Sequence, residues 1–205
     1  FYPRVAVFDD YAGWDRMNFT DGKEFYSDFN DYYVTINAPA NFIVWGTGTL
    51  QQPEKLLQPE FLRRYKESMT SDQTINIVTR EDLLNKKVTT QNEMNSWSFS
   101  ASQIPDMSFG ISDHYNWDGC SVVVDKKTGR RAGAYAAYDD KAKDFHYVAQ
   151  FARHSLEWFS NNWPGVPYPY EKSTVFQGFA DMEYPMMVNN SSQQVCRQGQ
   201  IHLPL

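Results

Sequence analysis

The sequence predicts an α+β protein in which β-strands dominate the first 138 residues and a long helix follows them. Apolar and polar residues alternate at positions 31–37 and 96–101, a period of two that is typical of half-buried strands. Apolar residues at intervals of three and four occupy positions 145–159, and this spacing predicts one face of a helix.

Short apolar segments bounded by turn residues complete the predicted β-region. Residues 42–45 follow Pro39 and run into a glycine, which indicates a short strand with a glycine stop. Residues 121–124 and 131–138 flank the polar segment 125–130, so we expect these two runs to pair as a hairpin.

Two helical segments interrupt this region. Between residues 50 and 69, Pro53 and Pro59 each suit the first turn of a short helix. Thr79 and Asp82 have the spacing of a reciprocal capping box, which predicts the start of a second helix.

A domain boundary is predicted near Asp139 and Asp140. Either carboxylate suits the N-terminal cap of the long helix, since its oxygen can accept a bond from the free backbone N–H groups there. One apolar face of that helix is predicted to comprise Phe145, Val148, Ala149, Ala152, Leu156 and Phe159. The predicted organisation is therefore a β-rich part at 1–138, a second domain beginning at 139–190, and an irregular tail at 191–205.

Composition and charge favour a packed globular protein that does not bind nucleic acid. Hydrophobic residues make up 41% and aromatic residues 16%. The net charge is -6, and Lys and Arg form no basic stripe. No apolar run approaches a membrane span, and no signal peptide is present. The chain starts without a methionine, so we expect it to begin inside a longer polypeptide.

A self-contained metal or nucleophilic site is not indicated. His146 and His154 are separated by about 12 Å along the predicted helix, which is too far for two ligands of one zinc ion. The sequence contains no H-E-x-x-H, no G-x-S-x-G and no phosphate-binding loop. Cys120 lies shortly after Asp113 and His114, so a Cys–His pair stays open, although an unreactive cysteine is more common.

Two further segments have both a functional and an ordinary interpretation. Residues 104–118 carry polar and aromatic side chains that suit either the lining of a substrate cleft or a corner of the β-region with half-buried aromatic rings. Glu183 follows an apolar strand, and an isolated glutamate there is usually a solvated residue at a sheet edge.

Residues 163–187 contain a Pro- and Tyr-rich turn, an apolar strand and a short acidic segment. The acidic segment reads Ala180, Asp181, Met182, Glu183, Tyr184. It resembles the G-x-M-E-N segment of zinc aminopeptidases of the aminopeptidase N (gluzincin) family. Met182 and Glu183 agree with that segment, whereas Ala180 replaces its glycine and Tyr184 replaces its asparagine. The first change restricts the backbone, and the second alters contacts to a substrate backbone.

Other stretches resemble the same family in the same order. Residues 1–10, 31–48 and 97–110 resemble parts of its N-terminal β-domain. Residues 140–170 resemble the first helix of its thermolysin-like catalytic domain, and the sequence from Tyr168 to Lys172 resembles its Y-P-Y-x-K turn.

The resemblance implies a fold, a site and a cofactor. The fold is the later part of a β-sandwich or saddle domain followed by the start of a thermolysin-like α/β catalytic domain. Glu183 would bind the free N-terminus of a peptide substrate, in a pocket shaped by Ala180, Asp181 and Met182. The family uses zinc held by H-E-x-x-H. We therefore expect zinc in the full-length protein, none bound by this chain, and no hydrolysis by this chain alone.

Two alternatives remain open from the residues. One is a non-catalytic β-sandwich that binds carbohydrate or a protein partner through exposed aromatic rings. The other is a peptidase-like scaffold without a metal site that contacts a partner protein. Family members are often exported to the periplasm or outside the cell, but the residues themselves indicate no compartment.

Overall fold

The computed structural model describes residues 5–18 and 26–192, so residues 1–4 and the predicted tail from 193 onward lie outside the described part. The fold is α+β with strands in the majority, which confirms the predicted class. The helices are α1 Pro59–Ser68, α2 Arg80–Asn85 and α3 Val148–Asn161, and single 3-10 turns occupy Pro53–Lys55 and Lys143–Tyr147. The strands are β1 Phe8–Asp9, β2 Gly13–Trp14, β3 Asn30–Pro39, β4 Ile43–Gly46, β5 Thr49–Leu50, β6 Ile75–Val78, β7 Met94–Ile104, β8 Phe109–Ser112, β9 Asn116–Asp125, β10 Arg130–Tyr138, β11 Lys172–Gln177, β12 Met182–Tyr184 and β13 Met187–Asn190.

A six-stranded sheet forms the centre, in the order β12-β13-β11-β10-β9-β6. β9 and β10 pair antiparallel, which confirms the predicted hairpin. β10 then pairs parallel with β11, and α3 is the helix of the crossover between them. The predicted boundary between residues 138 and 139 therefore falls between two neighbouring strands of one sheet.

The two faces of this sheet bury different apolar clusters. One face packs under α3 and contributes small side chains that allow the helix to approach closely. The residues of this cluster include Cys120, Val122, Ala134, Ala136, Ala149, Leu156 and Val175. The other face carries Trp117 and Tyr135, which pack in one cluster with rings of α1, β4 and β7: Phe61, Tyr65, Trp45, Trp97 and Phe99.

The smaller sheets follow the predicted alternation. In β3 the even-numbered side chains point inward and the odd-numbered ones outward, and Trp97 and Phe99 of β7 are buried. β7 pairs with both β3 and β5, while β4 pairs with β8. The strands predicted at 31–37, 42–45 and 96–101 are thus confirmed as β3, β4 and β7. Their local apolar patterns agree with the faces that are buried when these strands pair.

β8 crosses close to β11 at one glycine. A Cβ atom added to Gly110 would overlap the ring of Phe176. The absence of a side chain at Gly110 therefore allows the β4–β8 pair to lie against the central sheet.

The predicted capping box is confirmed at the start of α2. The hydroxyl of Thr79 accepts the backbone N–H of Asp82 at 3.1 Å, and the Asp82 carboxylate accepts the backbone N–H of Thr79 at 3.0 Å. Arg64 and Lys86 also donate to this carboxylate, at 2.8 and 2.9 Å. Asp82 thus connects α1 with both ends of α2.

The predicted caps of the long helix are wrong. α3 starts at Val148, after the 3-10 turn, and neither Asp139 nor Asp140 lies at its first turn. Asp139 instead accepts the backbone N–H of Lys141 at 2.9 Å in a local turn before the 3-10 turn. Phe159 is also exposed rather than buried, because the last turn of α3 directs Ser160 inward.

Candidate functional site

The residues singled out by the resemblance lie together at one edge of the central sheet. Ala180 and Asp181 precede β12, and Met182 and Glu183 belong to it. β12 pairs antiparallel with β13, and among the described residues no strand pairs with its other side. We call β12, its turn and β13 the edge hairpin. One side of the β12 backbone is therefore available for pairing.

Side-chain bonds from β13 hold the loop that leads into β12. The Asn189 amide donates to the carbonyl of Ala180, and Asp181 accepts the N–H of Ser191 at 2.8 Å and its hydroxyl at 3.2 Å. A Cβ atom at Gly178 would overlap the Asn189 side chain, so glycine is needed for this approach. Asp181 was predicted to shape a pocket, and the structure shows its carboxylate bonded to the backbone beyond β13.

The Glu183 side chain is solvent-exposed and faces the same side of the sheet as α3. Glu183 stands opposite Val188 in the pairing of β12 with β13, and residues directly opposite share a face. Val188 packs against the cluster beneath α3. Among the described residues no side-chain hydrogen bond or ion pair involves the Glu183 carboxylate. Its oxygens are therefore free to accept bonds from a ligand.

Exposed apolar residues lie next to Glu183 in the sequence, but successive side chains of a strand alternate, so Met182 shares the face of Tyr184 and points away from Glu183. Met182 is 43% exposed, and Phe179 projects fully into solvent. Tyr184 packs on the opposite face against the large aromatic cluster. The Glu183 carboxylate and the Met182 side chain therefore lie on opposite faces of β12.

A second polar region, which the sequence did not predict as one site, is a cleft of about 450 Å³ where β9 begins and β10 ends. We call it the polar cleft. Its lining includes Asn76, Arg80, Asn116, Tyr138, Asp140 and His146. In the sequence, only the segment 104–118 indicated a possible cleft. Its residue Asn116 contributes to the lining of the polar cleft.

Asn116 organises the lining of the polar cleft. Its amide donates to Asp140 at 3.1 Å, and its carbonyl oxygen accepts the backbone N–H of Arg80 at 2.6 Å. The bond from Asn116 is the main cause of a lowered pKa of Asp140. His146 contacts the backbone carbonyl of Asp140 at 3.2 Å. Because the lining carries both signs of charge, we assign the polar cleft no ligand class.

The Cys–His arrangement that the sequence left open is not formed. Cys120 lies in the middle of β9, fully buried beneath α3, where its thiol contacts the carbonyl oxygens of Ala134 and Ala149. Burial raises the pKa of this thiol, which disfavours the nucleophilic thiolate. His114 is half exposed and pairs with Asp113 at 2.7 Å.

No metal-ligand set is present in the described part of the chain. Within residues 5–18 and 26–192 no three His, Cys, Asp or Glu side chains are grouped so that they could hold a metal ion. The residues described therefore do not fit the zinc site of the aminopeptidase N family. None of the described helices has the length and apolar character needed to cross a membrane.

Comparison with known proteins identifies no family for this chain. No protein-family model matches the sequence, and no curated protein matches it.

Proposed function

We propose that this chain is the amino-terminus-recognising part of a zinc aminopeptidase of the aminopeptidase N type. The observation that supports the proposal most is the free carboxylate of Glu183 on the unpaired edge of the central sheet. The finer fold assignment, a β-sandwich or saddle domain followed by the start of a thermolysin-like domain, belongs to the same proposal.

The role of Glu183 follows from simple electrostatics. A peptide's free N-terminus is a cation, and a carboxylate that binds it gains a charge-assisted hydrogen bond. An exposed ion pair of this kind contributes only about 0–1 kcal/mol, so other contacts are needed for useful affinity. The unpaired side of β12 offers such contacts, because an extended peptide can add to a sheet edge through main-chain hydrogen bonds. Met182 would then contact a peptide side chain that lies on the face opposite Glu183.

In this proposal the chain recognises the free N-terminus of a peptide and performs no hydrolytic step itself. The described residues provide no zinc ligands, so zinc and its H-E-x-x-H helix are assigned to another part of the full-length protein. Recognition of the ammonium by Glu183 would confine cleavage there to the first peptide bond.

A binding experiment on this chain tests the proposal directly. Amide chemical shifts of the edge hairpin are followed while a short leucine-initiated peptide amide is added, and then its N-acetylated counterpart. We expect the free peptide to shift the β12 and β13 amides and the acetylated peptide to have little effect. Glu183→Gln should weaken binding about fivefold, the equivalent of about 1 kcal/mol.

The matched control is Glu93→Gln, since Glu93 is an exposed glutamate outside the edge hairpin. It should bind like the wild type. Equal binding of the free and acetylated peptides, or an unchanged affinity in Glu183→Gln, would overturn the role of Glu183. In the full-length protein, Glu183→Ala should reduce kcat/KM for aminopeptidase substrates strongly and leave the zinc content unchanged.

Exposed aromatic rings favour the alternative of a binding module. Exposed rings lie in the 3-10 turn before α3, on the outer face of α3 and in the loop after it: Tyr147, Phe151, Trp158 and Trp163, of which Trp163 is 77% exposed. Such rings can stack on sugar rings. A saturable change in tryptophan fluorescence on addition of oligosaccharides would support this alternative, and a flat titration would contradict it.

A further inference from the structure

Lys172 carries a buried amine that no carboxylate of residues 5–18 and 26–192 pairs with. Its Nζ atom lies 2.6 Å from the carbonyl oxygen of Gly46, 3.1 Å from Oγ1 of Thr174 and 3.3 Å from the carbonyl oxygen of Met186. A small part of the residue stays accessible, but the ammonium points inward, between the end of β4 and the end of the edge hairpin's turn. Lysine is almost never buried without a charged partner, so this position requires an explanation.

The Met186 carbonyl lies in an unusual turn. Pro185 and Met186 alone join β12 to β13, since Tyr184 pairs with Met187. Met186 has φ 61°, the left-handed region that the third residue of a type II turn requires and that Gly or Asn normally supplies. A methionine there costs about 1–3 kcal/mol and persists only where the surroundings determine the conformation.

The surroundings of this turn supply two donors to one atom. The Met186 carbonyl oxygen accepts the backbone N–H of Thr174 at 3.0 Å as well as the ammonium of Lys172. Gly46 is the last residue of β4, so the same ammonium connects the turn to the β4–β8 pair. The turn is thus held to β11 by two hydrogen bonds and is connected to β4 through the ammonium of Lys172.

We propose that Lys172 is a positioning residue for the edge hairpin: it holds the strained turn at Met186 against β11 and β4, and so sets the position of Glu183. The importance of Glu183 rests on the proposed function, whereas the restraint of the turn does not depend on it.

The site can satisfy the amine in both protonation states. Burial lowers the pKa of Lys172 to about 7. The ammonium donates to all three oxygens. The neutral amine donates to the two carbonyls and accepts the hydroxyl hydrogen of Thr174, which can act as donor or acceptor. The restraint weakens on deprotonation, because a hydrogen bond from a charged donor is stronger than one from a neutral donor.

Few other groups near Lys172 can titrate at neutral pH. The cavities beside it are lined by Tyr65 of α1, by Arg131 and Tyr135 of β10 and by the exposed Glu171. Burial raises the pKa of Tyr65 to about 12 and that of Tyr135 further still. Arg131 is paired with Asp72. A transition of the turn near pH 7 is therefore attributable to Lys172.

Amide hydrogen exchange and chemical shifts of the 205-residue chain test the proposal. Lys172→Met keeps the aliphatic stem and removes the donor, and Lys126→Met, in the exposed turn between β9 and β10, is the matched control. In Lys172→Met we expect the β12–β13 amides to exchange about tenfold faster than the change in global stability alone would explain. This factor corresponds to the loss of a charged hydrogen bond of about 1.5 kcal/mol.

Chemical shifts provide a second readout that a purely structural contact would not change. In the wild type and in Lys126→Met, the Thr174 and Met187 amides should shift with pH around a midpoint near 7. In Lys172→Met this transition should vanish. Unchanged exchange of the edge hairpin, or a transition that persists without Lys172, would overturn the proposal.

Thr174→Val and Thr174→Ser keep the test decisive if Lys172→Met does not fold. The Thr174 hydroxyl stabilises the charged amine of Lys172 more than the neutral amine. Loss of this hydroxyl in Thr174→Val should therefore lower the midpoint of the pH transition, and Thr174→Ser should preserve it. An unchanged midpoint in Thr174→Val would contradict the proposal.

The outcome separates this inference from the proposed function. If Lys172→Met loosens the edge hairpin while Glu183→Gln leaves peptide binding unchanged, Lys172 positions the hairpin and the proposed function fails. If Glu183→Gln weakens binding and the hairpin is insensitive to Lys172, the proposed function stands and the positioning role fails.

Discussion

The hydroxyl of Tyr138 donates a hydrogen bond of 2.6 Å to Oδ2 of Asp118 behind the lining of the polar cleft. Asn76 donates to the other oxygen of this carboxylate at 2.7 Å, and both Asp118 and Tyr138 are 2% exposed. Burial raises the pKa of Asp118, and the two hydrogen bonds oppose that rise. The charged form of Asp118 therefore depends on these two donors.

Tyr138→Phe should destabilise the protein by about 1–3 kcal/mol at pH 7, because it leaves a buried carboxylate with one donor fewer. The pKa of Asp118 is raised in the folded state, so its ionisation lowers the free energy of unfolding as pH rises. Tyr138→Phe should enlarge this pH-dependent loss of stability. Urea unfolding at pH 5 and pH 8 should show the larger effect at pH 8. Tyr33→Phe, at a 70% exposed position, should change stability by less than about 0.5 kcal/mol. An equal loss at both pH values would refute the role assigned to the Tyr138 hydroxyl.

Asp82 should make the fold acid-sensitive. Burial alone would raise the pKa of Asp82, but hydrogen bonds from Lys86, Thr79 and Arg64 together lower it to about 2. A depressed folded-state pKa contributes stability that is present above about pH 4 and lost as pH falls towards 2. The free energy of unfolding of the wild type should thus fall by about 2 kcal/mol more than that of Asp82→Asn between pH 5 and pH 2. Parallel curves for the two proteins would show that the carboxylate charge is unimportant.

Gly110→Ala should strain the contact between β8 and β11. The added methyl group overlaps the Phe176 ring, and overpacking of this kind costs about 1–3 kcal/mol. Phe176→Leu should relieve the overlap, so the double mutant should be more stable than the sum of the two single changes predicts. A double-mutant cycle from thermal or urea unfolding measures this coupling. Strict additivity would mean that the backbone shifts to accept the methyl group.

Lys172 should make stability increase with pH above neutrality. Its folded-state pKa of about 7 lies below the ordinary value of 10.5, so the unfolded chain binds more protons between these limits. Stability should rise by at most about 1.4 kcal/mol per pH unit in that range, with no contribution below pH 7. Comparison of urea unfolding of the wild type and Lys172→Met from pH 6 to pH 9 isolates this slope. A constant difference between the two would contradict a lowered pKa.

Local patterns explain why much of the fold could be predicted. The alternation in β3 and β7, the glycine after β4 and the capping box of Thr79 with Asp82 each operate over a few residues. The wrong caps at Asp139 and Asp140 arose because a 3-10 turn intervenes before α3, and no sequence signal separates the two kinds of helical start. The order of the central sheet depends on pairings between distant segments, which local patterns do not encode.

The candidate sites were predictable to different degrees. Glu183 was identified only through a resemblance of a few residues, because an exposed glutamate at a strand edge has no local signature. The polar cleft is assembled from β6, α2, β9, the end of β10 and the turn before α3, so the segment 104–118, which contributes Asn116, could not indicate it as one site. Lys172 was named only as part of a turn motif, since its burial depends on β4, far away in sequence.

The parallel pairing of β10 with β11 has a consequence for synthesis of the chain on the ribosome. When residue 138 has emerged from the ribosome, β9 and β10 can form their hairpin, but the outer edge of β10 has no partner until residues 172–177 emerge. An apolar strand edge of that kind can pair with other nascent chains. Ribosome pausing while residues 139–171 emerge from the exit tunnel should therefore promote aggregation more than pausing after β13 has emerged.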